Sequence, residues 1–222
     1  MKSEQITDLL KEMIETSAKA VQEIETDFGF DSSGFSTPNF VRWHDVKWGG
    51  VEDWHDWYKL HVCAGLKTGI IVSFEISERH SHDSQFFKPL FESAKARGFN
   101  IKNAFADKGY PTRANLQLVV NNDATPYIRF RSNAKFSDSH TTWNKMLHYF
   151  LASKDEFYSI YNKRNNVEAG FSAMKRKFGN RLTSRTKIAQ INELLAKVLA
   201  YNLCIVTRVL TELDINPAFS RQ

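Results

Sequence analysis

The chain of 222 residues is poor in cysteine and in long apolar runs. Its two cysteines, Cys63 and Cys204, lie far apart and outside any paired metal motif. That argues against a disulfide framework or a structural zinc site and suits reduced, buried thiols. No apolar run approaches the roughly 20 residues that a membrane span needs, so no membrane partner is expected. The opening MKSEQITDLLKEMIE is amphipathic and lacks the apolar region of a signal peptide. There is no internal repeat and no low-complexity tract. Acid, too, is scarce in one place. Between Tyr161 and Lys187 stand eight Lys or Arg residues and a single carboxylate, Glu168.

Hydrophobic residues make up 42% of the chain, enough for a sizeable core in one domain. A net charge of +5 permits nucleic-acid binding without requiring it. Residues 4–22 carry apolar positions at helical spacing. Phe28 and Phe30 alternate with Asp27, Gly29 and Asp31, which predicts a strand ending near Asp31. There Asp31 either anchors a turn or holds a metal. Residues 40–59 hold Trp43, Trp48, Trp54 and Trp57 among basic residues, a mixture that suits ring packing over the sheet better than base stacking. A hairpin follows over 58–66 and 70–77. Ser81 or Asp83 is expected to cap a helix running to about Arg97, which explains His80, His82 and Asp83 better than a metal cluster does.

Residues 101–106 read as a strand that stops at Asp107, ahead of a helix from Pro111 to about Val120. Asp107 thus sits at a strand's carboxyl end, where α/β sheets place ligand sites. Residues 125–130 read as a further strand, 131–145 as a loop, 155–178 as one long helix closed by Gly179, and 188–213 as a last helix. On the long helix Tyr161, Arg164, Glu168 and Lys175 share a face. A solvated basic helix with a Glu168–Arg164 pair accounts for the charges as well.

The order helix, strand, hairpin, helix, strand, helix, strand, long helix, helix is that of an α/β RNase H-like fold. It predicts a mixed five-stranded sheet flanked by helices, with additional N-terminal and C-terminal helices. In it Asp31, Asp107 and Glu168 converge. The spacing Tyr161, two residues, Arg164, three residues, Glu168, six residues, Lys175 is similar to the Tyr-Arg-Glu-Lys signature of the DDE transposases of prokaryotic insertion sequences. FDSSGF around Asp31, FADKGY around Asp107 and NELLAKVLAYNL over 192–203 resemble the same family, and the likeness covers about residues 24 to 210.

The resemblance implies a catalytic domain over 23–213, an N-terminal helix over 1–22 linked to or left from a DNA-binding segment, and a tail over 214–222. Only about 30 residues precede Asp31, and about 60 separate Asp107 from Glu168, which leaves no room for the β insertion of some relatives. It further implies Asp31, Asp107 and Glu168 as catalytic metal ligands. They would hold Mg²⁺, with Mn²⁺ as an alternative, since hard cations take carboxylate oxygens. Tyr161, Arg164, Lys175, Arg176 and Lys177 would contact DNA. The expected partners are transposon ends and target DNA, with a homodimer in the DNA complex, in the prokaryotic cytoplasm and at the nucleoid. Two other readings share these residues: a catalytically silent DNA-binding remnant, and a nuclease of the same fold without strand transfer.

Overall fold

A computed structural model describes residues 4–37, 57–78, 81–139 and 141–212. Trp43, Trp48, Trp54, His80 and the 214–222 tail lie outside the described residues. The elements are α1 (Glu4–Lys19), β1 (Asp27–Ser36), β2 (Trp57–Gly65), β3 (Ile71–Glu78), α2 (Phe87–Ala96), β4 (Asn103–Ala106), α3 (Arg113–Asn121), β5 (Thr125–Ile128), α4 (Thr141–Ala152), α5 (Lys154–Tyr161), α6 (Asn165–Phe178) and α7 (Lys187–Glu212). The strands form one mixed sheet in the order β3-β2-β1-β4-β5, the expected RNase H-like arrangement. β1, β2 and β3 pair antiparallel, while β1, β4 and β5 run parallel.

Local chemistry explains most boundaries. Thr112 caps α3 by accepting the Asn115 N–H. Gly98 and Gly179 end α2 and α6 at positive φ, which glycine adopts freely. Phe28 and Phe30 are fully buried; Phe28 meets Phe99 edge-on, and Phe30 lies tilted against Phe87 and stacked with Phe91. The other side of β1 carries Gly29 and Asp31, because side chains alternate. α6 comes down on that side so closely that a Cβ at Gly29 would lie 2.2 Å from Val167 Cγ2.

Several boundaries differ from expectation. β1 continues past Asp31 to Ser36, because its residues keep pairing with β2 as far as Trp57. Asp31 is therefore in a ladder and not in a turn. The long helix is broken into α5, a single 3₁₀ turn over Asn162–Arg164, and α6. α4 begins at Thr141, within the segment expected as loop.

α7 has the expected length but is more apolar than expected; by length and composition alone it could cross a bilayer. Here it serves the core. It packs on α1 and buries Leu194, Leu195 and Val198. Its buried Asn202 amide bonds both the N–H and the carbonyl of Ile71. A buried amide is stable only with such partners.

Candidate active site

Phe30 and Ala106 form the last pair between β1 and β4. One step further, Asp31 and Asp107 stand side by side at the carboxyl edge of the parallel strands. β4 stops there while β1 runs on, so the sheet has a step and Asp107 sits at its corner. The Asp107 carboxylate accepts the Gly109 N–H at 2.7 Å, and its carbonyl accepts the Tyr110 N–H at 3.1 Å. That tight turn leaves little space: a Cβ at Gly109 would lie 2.9 Å from Asp107 Oδ1.

Glu168 arrives from the other direction. It lies in the first turn of α6, next to the Val167 that wedges against Gly29. Arg164, in the 3₁₀ turn just before α6, ties the elements together. Its guanidinium reaches Asp31 Oδ2 at 3.0 Å and Glu168 Oε1 at 2.6 Å. Arg164 is buried, and its Nε has no hydrogen-bond partner among the described residues. The i, i+4 pair with Glu168 is thus present, but it is half of a fork whose other half is Asp31.

Burial raises the Asp31 pKa to about 6. Arg164 opposes the rise, as does the Ser32 N–H, while Asp107 and Glu168 add to it. Asp107 and Glu168 therefore lie close enough to act on the charge of Asp31. Among the described residues no group of three or more His, Cys, Asp or Glu is placed so that it could hold a metal ion. The guanidinium lies between Asp31 and Glu168. The donors themselves are hard carboxylate oxygens, the type that Mg²⁺ or Mn²⁺ takes, and a buried carboxylate with a raised pKa favours an added cation.

The other residues singled out in the sequence are placed as follows. Tyr161 is buried, with its ring stacked on Phe157 at 5.4 Å. Burial raises its pKa, with Arg164 opposing and Asp107 adding to the rise. Lys175 is half-buried, with Nζ 5.1 Å over the Phe35 ring, and burial lowers its pKa. Arg176 and Lys177 are exposed. Lys177 Nζ lies 3.1 Å from Cys204 Sγ, and both cysteines are free.

A second cluster adjoins the site. Asp83 does not cap a helix. It belongs to a 3₁₀ turn ahead of α2, and its Oδ1 accepts from Lys59 Nζ at 2.6 Å and Ser32 Oγ at 2.9 Å. Ser32 follows Asp31, so the cluster braces the strand edge. Fully buried His61 stacks on Phe86 at 3.9 Å and meets Ser77 Oγ through Nε2 at 2.8 Å. Its Nδ1 is 3.6 Å from Asp83 Oδ1, too far for a hydrogen bond. Burial lowers the His61 pKa to about 4. The Tyr110 hydroxyl is buried without a hydrogen-bond partner among the described residues. Burial pushes its pKa well up, Asp83, Asp31 and Asp107 add to the rise, and the Ser32 side chain opposes it. In the sequence only the alternation of Lys59 and His61 along a strand hinted at this cluster.

Comparison with known proteins gives the family of the chain. Residues 25–203 match the model of a family described as transposase DDE domain. The chain is also 26% identical over 183 residues to a probable transposase for insertion sequence element ISA1214 from Archaeoglobus fulgidus, covering 82% of the chain and 54% of that relative. The chain spans about half the length of this relative. With the match running from the start of β1 to within α7, across all three acids, the chain belongs to the transposase DDE domain family.

Proposed function

We propose that this domain cuts DNA at transposon ends and joins the freed 3′-hydroxyl to target DNA by metal-dependent phosphoryl transfer. The observation that carries the reading is that one buried cation, Arg164, bridges Asp31 and Glu168, while Asp107, one step past the last pair of β1 with β4, acts on the charge of Asp31. Asp31, Asp107 and Glu168 would hold divalent cations. Such cations supply a nucleophile at neutral pH and charge stabilisation for the leaving oxygen. The chain's own residues do the positioning. Gly29 and Val167 set the height of α6 over β1, and so the reach of Glu168 to Asp31. The Gly109 N–H orients Asp107. Arg164 keeps Asp31 and Glu168 from repelling each other. Lys175, Arg176 and Lys177 offer cations to backbone phosphates. The relative's description as a probable transposase supports the same reading.

Glu168→Gln tests it. Glutamine keeps the side-chain shape and helix propensity and loses the charge that a hard cation needs. On DNA bearing the element's own ends, wild type should cleave with Mg²⁺ or Mn²⁺. The variant should bind that DNA at least as tightly and show no detectable cleavage. Comparable cleavage by the variant would remove Glu168 from the ligand set. A folded wild type that binds DNA but never cleaves it would favour the silent DNA-binding remnant.

A further inference from the structure

Beyond Asp107 the sheet edge opens into a cleft of about 620 Å³. Its walls are the two segments that follow the parallel neighbours β4 and β5. Ala106 pairs with Ile128, so Asp107-Lys108-Gly109 and Arg129-Phe130-Arg131 leave the sheet side by side. Lys108, Arg129 and Arg131 all line the cleft, and Asp107 is its acidic edge. Ser132 and Asn133 add neutral polar groups.

The walls are built into the fold. Phe130 is buried and packs edge-on against Trp143 at 4.9 Å and against Phe150 at 5.7 Å. That inward ring turns its two neighbours, Arg129 and Arg131, outward. The Arg129 N–H bonds the Ala106 carbonyl at 3.2 Å, and Arg131 Nε bonds the Lys108 carbonyl at 3.1 Å. None of the three cations has a carboxylate ion-pair partner among the described residues, whereas Lys59, Lys163 and Arg164 each do. Three like charges around one cleft repel each other unless an anion enters.

We propose that this cleft holds the DNA backbone next to the reacting phosphate, with Lys108, Arg129 and Arg131 as phosphate contacts. The inference rests on the transposase reading, which puts the reacting phosphodiester on Asp107. A strand lying there must continue past the corner of the sheet. The cleft is open, polar and cationic, and it begins at that carboxylate. The basic end of α6 then serves another part of the DNA, so the polymer is held on more than one side of the acids.

The test is DNA binding in EDTA across a salt series, using a mixed-sequence duplex and no chemistry. Each lost phosphate contact lowers the slope of log affinity against log salt by about one unit. Arg129→Ala/Arg131→Ala should flatten the slope by about two units and weaken binding roughly tenfold or more at low salt, whatever the sequence. Arg129→Lys/Arg131→Lys should restore most of the slope. The control Lys11→Ala/Lys19→Ala, two exposed cations of α1, should change it little. A folded Ala double variant with wild-type slope and affinity overturns the cleft assignment and leaves the transposase reading standing. So does an effect no larger than that of the control. A wild type that binds no DNA overturns both.

Discussion

Two ends of one basic stretch behave differently. At its start, Lys163 and Arg164 are committed to acids: Lys163 meets Asp27 at 2.7 Å, and Arg164 joins Asp31 to Glu168. At the end of α6, Lys175, Arg176 and Lys177 have no carboxylate ion-pair partner among the described residues. The helix dipole favours this division. Glu168 sits in the first turn, near the partial positive charge, and the three cations sit in the last turn, near the partial negative one. A run of like residues in sequence thus becomes a structural clamp at one end and a free cationic surface at the other. Buried charge sets the geometry of the acids, and exposed charge remains available to a ligand.

The strongest way to break this comparison is Arg164→Ala. Removing one partner of a buried ion pair costs several kcal/mol, because the other charge is left uncompensated. The Glu168 side chain is 56% exposed, so that arm contributes little. The Asp31 arm dominates, and protonation of Asp31 limits the loss. A destabilisation of about 2 kcal/mol in EDTA at pH 7 is expected by urea unfolding. Millimolar Mg²⁺ should recover more stability in the variant than in wild type, since a second cation can then neutralise Asp31 and Glu168. A variant as stable as wild type in EDTA would show that Arg164 is no clamp.

Asp31 provides a smaller, pH-resolved test. Its pKa is about 6 in the fold against about 3.8 unfolded, so the folded protein binds more protons between these values. Stability tied to this group is therefore highest below pH 4 and falls as pH rises through 6. The shift of about two units corresponds to roughly 2–3 kcal/mol. His61 works in the opposite sense. With its pKa lowered to about 4 from 6.5, it favours the fold when neutral, and its contribution falls away as pH drops from 6.5 towards 4. The two slopes oppose each other in wild type. Asp31→Asn should gain on wild type above pH 6 in EDTA, and that gain should vanish near pH 4. Parallel stability profiles for the two proteins from pH 4 to 7 would mean that Arg164 already neutralises Asp31 in full.

Much of this was legible in the sequence, and the misses have specific physical causes. Period-two and helical spacing reveal the five strands and most helices, because burial on one face leaves that pattern. The Arg164–Glu168 spacing shows that they share a turn. It does not show that Arg164 also reaches Asp31, over a hundred positions away, since that depends on how α6 rests on Gly29. The 3₁₀ turn at Asn162–Arg164 carries no glycine or proline to announce it. Asp83 read as a helix cap because serine and aspartate before an apolar run usually are caps. Only the register of β1 against β2 brings Ser32 and Lys59 close enough to claim its carboxylate.

The smallest expected effect, and the one that probes the free end of the comparison, is Lys175→Ala. Its Nζ lies over the buried Phe35 ring at 5.1 Å. A half-exposed contact of that kind is worth about 0.5–1 kcal/mol, so unfolding should shift by no more than this. Binding should respond differently. If Lys175 contacts a backbone phosphate, the salt slope of DNA affinity falls by about one unit, and affinity drops for every sequence tested. Stability and binding would then separate at the two ends of the stretch, with Arg164→Ala acting mainly on stability and Lys175→Ala mainly on the salt slope. Paired measurement of urea unfolding and duplex binding in EDTA decides the matter. An unchanged slope for Lys175→Ala would leave the helix dipole and the Phe35 ring as the reasons for a lysine there, and the basic end of α6 would be a solvated helix terminus.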